Sequence, residues 1–202
     1  METKIYIFRN PSNLPWGDYG SILYTGMTMH QGRNENGLLQ LERTGPFVPP
    51  IVDECLDIVA TDDFKLALET SGLKGFAFKP VIKKRIVYID WETWDQNLED
   101  PQFYPESGEP ADYILERPHS DELAEQMGEL WELCLEQLAL VEKVKREGHS
   151  WKMDIYLLKE TLPHLDFFRA KDVGYVYLSE NAKNWLEENY FDYVEFKEAK
   201  IR

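Results

Sequence analysis

Two stretches of this chain, 118 residues apart, carry the same residues in the same order. Lys65, Leu68, Glu69, Phe78 and Lys79 return as Lys183, Leu186, Glu187, Phe196 and Lys197. The local signals around them agree as well. In the first stretch Ile58-Val-Ala reads as a short strand, and Thr61 as an N-cap whose hydroxyl can accept from a free helical N–H. Asp62 and Asp63 suit the positive helix end, Gly72 stops the helix after about Ser71, and residues 75–82 read as a strand. In the second stretch 175–178 is a strand, Ser179 the cap, Glu180 the first-turn acid, 182–189 the helix and 192–197 the closing strand. A repeated strand–helix–strand unit is a strong constraint, because each copy must bury the same helix face on a sheet. Two copies are too few for a solenoid.

The remaining segments extend this plan. Residues 4–8 and 21–29 read as strands, 31–37 as a polar loop whose Asn36-Gly37 marks a turn, and 38–44 as the returning partner strand. The proline-rich stretch 45–50 must be extended, since each proline fixes its own φ and keeps the preceding residue out of the helical region. Residues 83–91 continue the first copy into another strand, and 96–119, with four prolines, reads as a long loop. Leu123, Met127, Leu130, Trp131, Cys134, Leu138 and Val141 fall on one helical face. With Ser120 as cap, acids at 121 and 122, Lys143, Lys145 and Arg146 near the end and Gly148 beyond, this predicts one long amphipathic helix over 120–147.

The expected fold is therefore α+β. It has a mixed sheet, two similar strand–helix–strand units, an N-terminal strand region and that long helix. The 202 residues suit a single domain, 1–202, or two lobes, 1–98 and 99–202, related by the repeat 58–80 and 175–197.

Charge points to function. From Asp90 to Glu136 there are fifteen acids and one basic residue, Arg117, so this segment holds nearly all of the chain's net charge of −15. A one-signed patch attracts basic partners and repels phosphate backbones, which argues against nucleic acid and against anionic membrane faces. Charge runs are often only solvated faces. Here Trp91, Trp94, Phe103, Tyr104 and Tyr113 interleave with the acids, a composition typical of protein-binding hot spots, and prolines stiffen the loop that carries them. The expected partner surface is Trp94, Asp95, Glu99, Asp100, Tyr104, Glu106, Glu109 and Asp112.

Three segments resemble bacterial immunity proteins of the immunity-protein-eleven type. They are Arg43-Thr-Gly-Pro-Phe-Val-Pro-Pro50, Gly72-Leu-Lys-Gly-Phe-Ala-Phe78 and Tyr190-Phe-Asp-Tyr-Val-Glu-Phe196. The last departs from the group's Gly-x-x-Gly-x-x-Phe ending, with Tyr190 and Tyr193 at the glycine positions. The resemblance covers about a third of the chain and includes no catalytic motif. It implies an inhibitor, made beside a polymorphic toxin, that neutralises its cognate toxin by binding and without turnover. The cognate toxin domain is expected to be basic.

Two other classes stay open: a hydrolase using the carboxylates of Asp90, Glu92 and Asp95, and an acidic scaffold for a basic protein. No catalytic residue, cofactor or metal is assigned. His30, His119, His149 and His164 are scattered, and neither Cys55 nor Cys134 belongs to a C-x-x-C pair. No apolar run reaches membrane-spanning length and the start lacks a secretory pattern, so the expected location is cytoplasmic.

Overall fold

The alternation at the start of the chain does build a strand, and the helix caps do start helices. The structure, a computed structural model, describes residues 3–11, 27–28, 32–54, 57–90, 110–146, 148 and 152–202. Helices and many strands in several sheets make an α+β protein. The chain divides into two compact units, each assembled from separated segments. One comprises 1–11, 68–77 and 134–202, the other 12–67 and 78–133.

In the first unit the five-stranded sheet runs in the order β14 (Glu195–Glu198), β1 (Ile5–Arg9), β13 (Val176–Ser179), β12 (Phe167–Ala170), β9 (Gln137–Ala139). β1 is antiparallel to both its neighbours, and β12 and β9 are parallel. A three-stranded sheet, β10 (Val141–Lys145), β11 (Met153–Leu157) and β15 (Lys200–Ile201), supplies Leu157 to a common core with Ile5, Ile7, Phe168, Ala170, Tyr177 and Ala199. Gly75 has φ +101°, and a Cβ there would collide with the Phe167 carbonyl, so the close approach requires glycine.

The second unit holds one three-stranded sheet and most of a four-stranded one. One is β2 (Met27–Thr28), β3 (Gln40–Gly45) and β7 (Ile82–Tyr88). The other is β4 (Ile51–Glu54), β5 (Asp57–Thr61), β8 (Leu130–Leu135) and β6 (Phe76–Pro80). Leu39 and Leu41 share a core with Val52, Val59, Val81 and Leu130, which fastens one sheet to the other by apolar burial.

Both strand–helix–strand units are present. β5, α1 (Asp62–Thr70) and β6 form the first; β13, α4 (Glu180–Tyr190) and β14 form the second. Thr61 Oγ1 accepts from Phe64 N–H at 3.3 Å, and Ser179 Oγ accepts from Ala182 N–H at 3.2 Å. In each copy a third strand separates the two: β8 lies between β5 and β6, and β1 between β13 and β14. Two strand spacings are about 10 Å, the width of a helix, so one helix covers the three strands. The pairing registers coincide. Val59, Ala60 and Thr61 face Glu132, Trp131 and Leu130; Tyr177, Leu178 and Ser179 face Ile7, Tyr6 and Ile5. The two central strands thus match residue for residue, although one follows its unit in sequence and the other precedes it.

The long helix expected over 120–147 is not formed. Ser120 does cap a helix, with Leu123 N–H donating to its hydroxyl at 3.2 Å, but α3 (Asp121–Gln126) is short. Gly128, at φ +69°, ends it, and β8, β9 and β10 follow. Leu130-Trp-Glu-Leu-Cys-Leu135 is apolar at helical spacing and also at strand spacing. Leu130 pairs opposite Thr61 to fill the place between β5 and β6, and pairing with two neighbours outweighs the helical pattern. Of the supposed stripe, Leu123 and Leu130 are buried, Trp131 and Cys134 are half-buried, and Leu138 is 41% exposed on β9. The loop expected over 96–119 also contains a helix, α2 (Pro110–Leu115), which starts on a proline whose missing N–H costs nothing at that position.

Candidate functional site

The first stretch of the acidic segment, 90–116, begins at the end of β7 and finishes just past α2, which packs against the same sheet. β3 and β7 are parallel, and Ile89 N–H continues the ladder to Gly45 O at 2.9 Å. Val87 and Ile89 pack with Tyr113 and Ile114 of α2 in a small buried cluster. Asp90, where the segment begins, is exposed.

Polar bonds complete the anchor. Arg85 Nη1 donates to the carbonyls of Leu115 (2.9 Å) and Arg117 (2.8 Å), at and just beyond the end of α2. Its Nε lies 3.4 Å from Oε1 of Glu42, a residue 1% exposed on β3. Arg117 donates to Tyr113 O at 3.0 Å, and its guanidinium lies 3.4 Å over the Tyr113 ring. Burial raises the Tyr113 phenol above its ordinary value, with the Arg117 charge opposing. Further along, His119 Nδ1 accepts from Ile86 N–H at 2.8 Å, so the ring proton is on Nε2, 3.1 Å from Asp121 Oδ1.

Of the residues expected to meet a partner, Trp94, Asp95, Glu99, Asp100, Tyr104, Glu106 and Glu109 lie outside the described residues. Asp112 lies on α2 and is half-buried. Among the other acids of the run, Glu116, Asp121, Glu122, Glu125, Glu129 and Glu136 are exposed, and only Glu132 is buried. Asp90 is the one member of the Asp90/Glu92/Asp95 group inside the described residues. Among the described residues no group of three or more His, Cys, Asp or Glu could hold a metal ion. No helix among them is long and apolar enough to cross a membrane.

The sequence reading missed two charged constellations. Glu42, Arg43 and Thr44 are all buried, on both faces of β3, because that strand is covered on each side and paired on each edge. Three adjacent polar residues carry no periodicity to reveal this. Glu132 is 7% exposed and takes a two-pronged grip from Arg33, Nη1–Oε2 at 2.7 Å and Nη2–Oε1 at 2.8 Å, while Arg33 Nη2 also reaches Asp57 Oδ1 at 2.5 Å. The matching position in the other copy is Ile7, in an apolar core. Set beside known proteins, the chain matches no family model and no curated protein.

Proposed function

We propose that the protein is an immunity protein that binds a cognate bacterial toxin and neutralises it without turnover, presenting residues 90–116 to a basic toxin domain. The observation that carries this reading is the segregation of charge. Nearly all of the net negative charge sits in one run, whose described acids are mostly exposed. The fastening of the first part of that run, 90–116, favours binding. Its two ends are held by an apolar cluster and by the Glu42–Arg85 pair, so the entropy lost when a partner docks is reduced. The resemblance of 43–50, 72–78 and 190–196 to immunity proteins supports the same class.

The test is co-expression with the toxin encoded beside this chain. Reversing Asp95, Glu99 and Glu106 together to Lys is expected to lower the on-rate and flatten its salt dependence, because steering decays over a Debye length of about 8 Å. Trp94→Ala or Tyr104→Ala is expected to raise the off-rate where the ring is an anchor. Unchanged protection and unchanged salt dependence in the triple reversal would remove the acidic segment from the function.

A further inference from the structure

We propose that the turn closing α4, residues 190–193, is a docking site for an extended segment of a partner protein that carries a basic residue between two apolar ones. The turn lies outside the acidic run, so the inference does not rest on the toxin reading.

The repeat supplies the comparison. In the first copy the chain leaves α1 through Gly72-Leu-Lys-Gly75, and the stretch 165–167 lies against that turn. Lys74 O accepts from Asp166 N–H at 2.9 Å and from Phe167 N–H at 3.0 Å, and Asp166 Oδ2 accepts from Lys74 N–H at 2.9 Å. Leu165 and the Phe167 carbonyl close on Gly75, and the Phe167 ring meets that of Phe76 edge-on at 5.7 Å. Leu73 is half-buried. In the second copy the equivalent turn is Tyr190-Phe-Asp-Tyr193, and Phe191, in the place of Leu73, is 72% exposed. Trp185, Tyr190, Phe191 and Tyr193 stand where the first copy has Ala67, Gly72, Leu73 and Gly75. Four rings are thus gathered at a helix end that leaves Phe191 bare, the composition of a protein-binding hot spot. The Trp185 and Tyr190 rings lie 5.5 Å apart, tilted by 56°, so this end is braced before anything binds.

Charge selects the occupant. In the first copy the occupant runs apolar–acidic–apolar, Leu165-Asp166-Phe167, against a turn that carries Lys74. The second turn carries Asp192 at that position, exposed, and Glu188, one helical turn before Phe191, is exposed as well. Glu187 is already held by Lys183. The complement is therefore a lysine or arginine between apolar side chains, which can also lie over a ring face. Tyr193 fills the room that the Phe167 carbonyl takes at Gly75, so the contact is made through rings rather than by close approach of two main chains.

The experiment follows backbone amide shifts of the full chain by NMR during titration with three short blocked peptides, whose cores are Leu-Lys-Phe, Leu-Asp-Phe and Ser-Lys-Ser. The expected result is saturable shifts over 188–194 with the first peptide, and binding at least about tenfold weaker with each of the others. Phe191→Ser should weaken the first peptide by at least about tenfold, with the rest of its spectrum unchanged. Asp192→Lys should turn the preference toward the Leu-Asp-Phe peptide. Shifts that stay linear with concentration, that centre on the acidic run, or that survive Phe191→Ser would overturn the proposal. Shifts over 188–194 that appear on raising the protein concentration without peptide would overturn it too, by making a second copy the occupant.

Discussion

The Lys65 ammonium lies 4.6 Å from the centre of the Trp131 ring. The lysine comes from the helix of one copy and the ring from the strand between its two strands. Lys65 also reaches Phe78 of the following strand at 6.0 Å. In the second copy Lys183 lies 6.0 Å from the Tyr6 ring and 5.7 Å from the Phe196 ring. Two of the five repeated identities, lysine and phenylalanine, are thus explained by one contact made twice. Leucine, at positions 68 and 186, is explained by full burial under each helix.

The cation–ring contact is expected to be measurable in the first copy. A double-mutant cycle with Lys65→Met and Trp131→Leu should give a coupling of about 0.5–1 kcal/mol in urea unfolding. Trp131→Phe keeps the ring but loses the bond from Nε1 to Asp62 Oδ1 at 2.8 Å, and should cost about 1 kcal/mol. A coupling near zero would show that the lysine only covers the ring.

Glu132 offers a test of the duplication, because its counterpart is Ile7. Glu132→Ile alone leaves Arg33 and Asp57 to rearrange and is expected to destabilise. With Arg33→Met added, the double variant should recover to within about 1 kcal/mol of the parent or exceed it, as buried ion pairs often do when replaced by apolar residues. Persistent loss in the double variant would mean that the carboxylate has a role beyond this pair.

Arg85 holds Glu42 and the end of α2 together. Arg85→Met should cost about 3 kcal/mol, because it strands a buried carboxylate and releases the carbonyls of Leu115 and Arg117. Adding Glu42→Gln should restore part of that loss. Equal destabilisation in both variants would place the cost in the carbonyl contacts alone.

Stability should fall at both pH extremes, for different reasons. The Asp154 carboxyl is held down to about 2, first by the hydrogen bond from Arg146 and then by that from Lys200. Its contribution is complete above its ordinary value of 3.8 and is lost as pH falls toward 2. Tyr177 is pushed up to about 12 by burial, so its contribution is complete below its ordinary value of 10.0 and is lost as pH rises toward 12. Urea unfolding across these windows should show a flatter acid limb for Asp154→Asn and a flatter alkaline limb for Tyr177→Phe. Limbs that match the parent's would rule these groups out.

Much of the architecture is legible in local chemistry. Thr61, Ser120 and Ser179 each cap a helix, because a side-chain oxygen next to free N–H groups acts over three residues whatever the rest of the chain does. Gly72 and Gly128 stop helices at positive φ for the same local reason. The acidic run needs only counting. The buried Glu42–Arg85 and Glu132–Arg33 pairs are not legible, because their partners lie far apart in sequence and each residue alone reads as a solvated charge.

The sequence by itself determined two copies of one strand–helix–strand unit, with their caps and helix lengths, and a separate acidic run. Tertiary structure alone decided what lies between the paired strands. Leu130–Leu135 satisfies helical and strand periodicity equally well, and Ile5–Arg9 shares no repeat signal with it. Both become central strands because a helix about 10 Å wide covers three strands and the middle one must be supplied. The supply comes from after the unit in one copy and before it in the other. Hydrogen bonding across a sheet depends on which backbone reaches the open edge, and it carries no record of sequence distance.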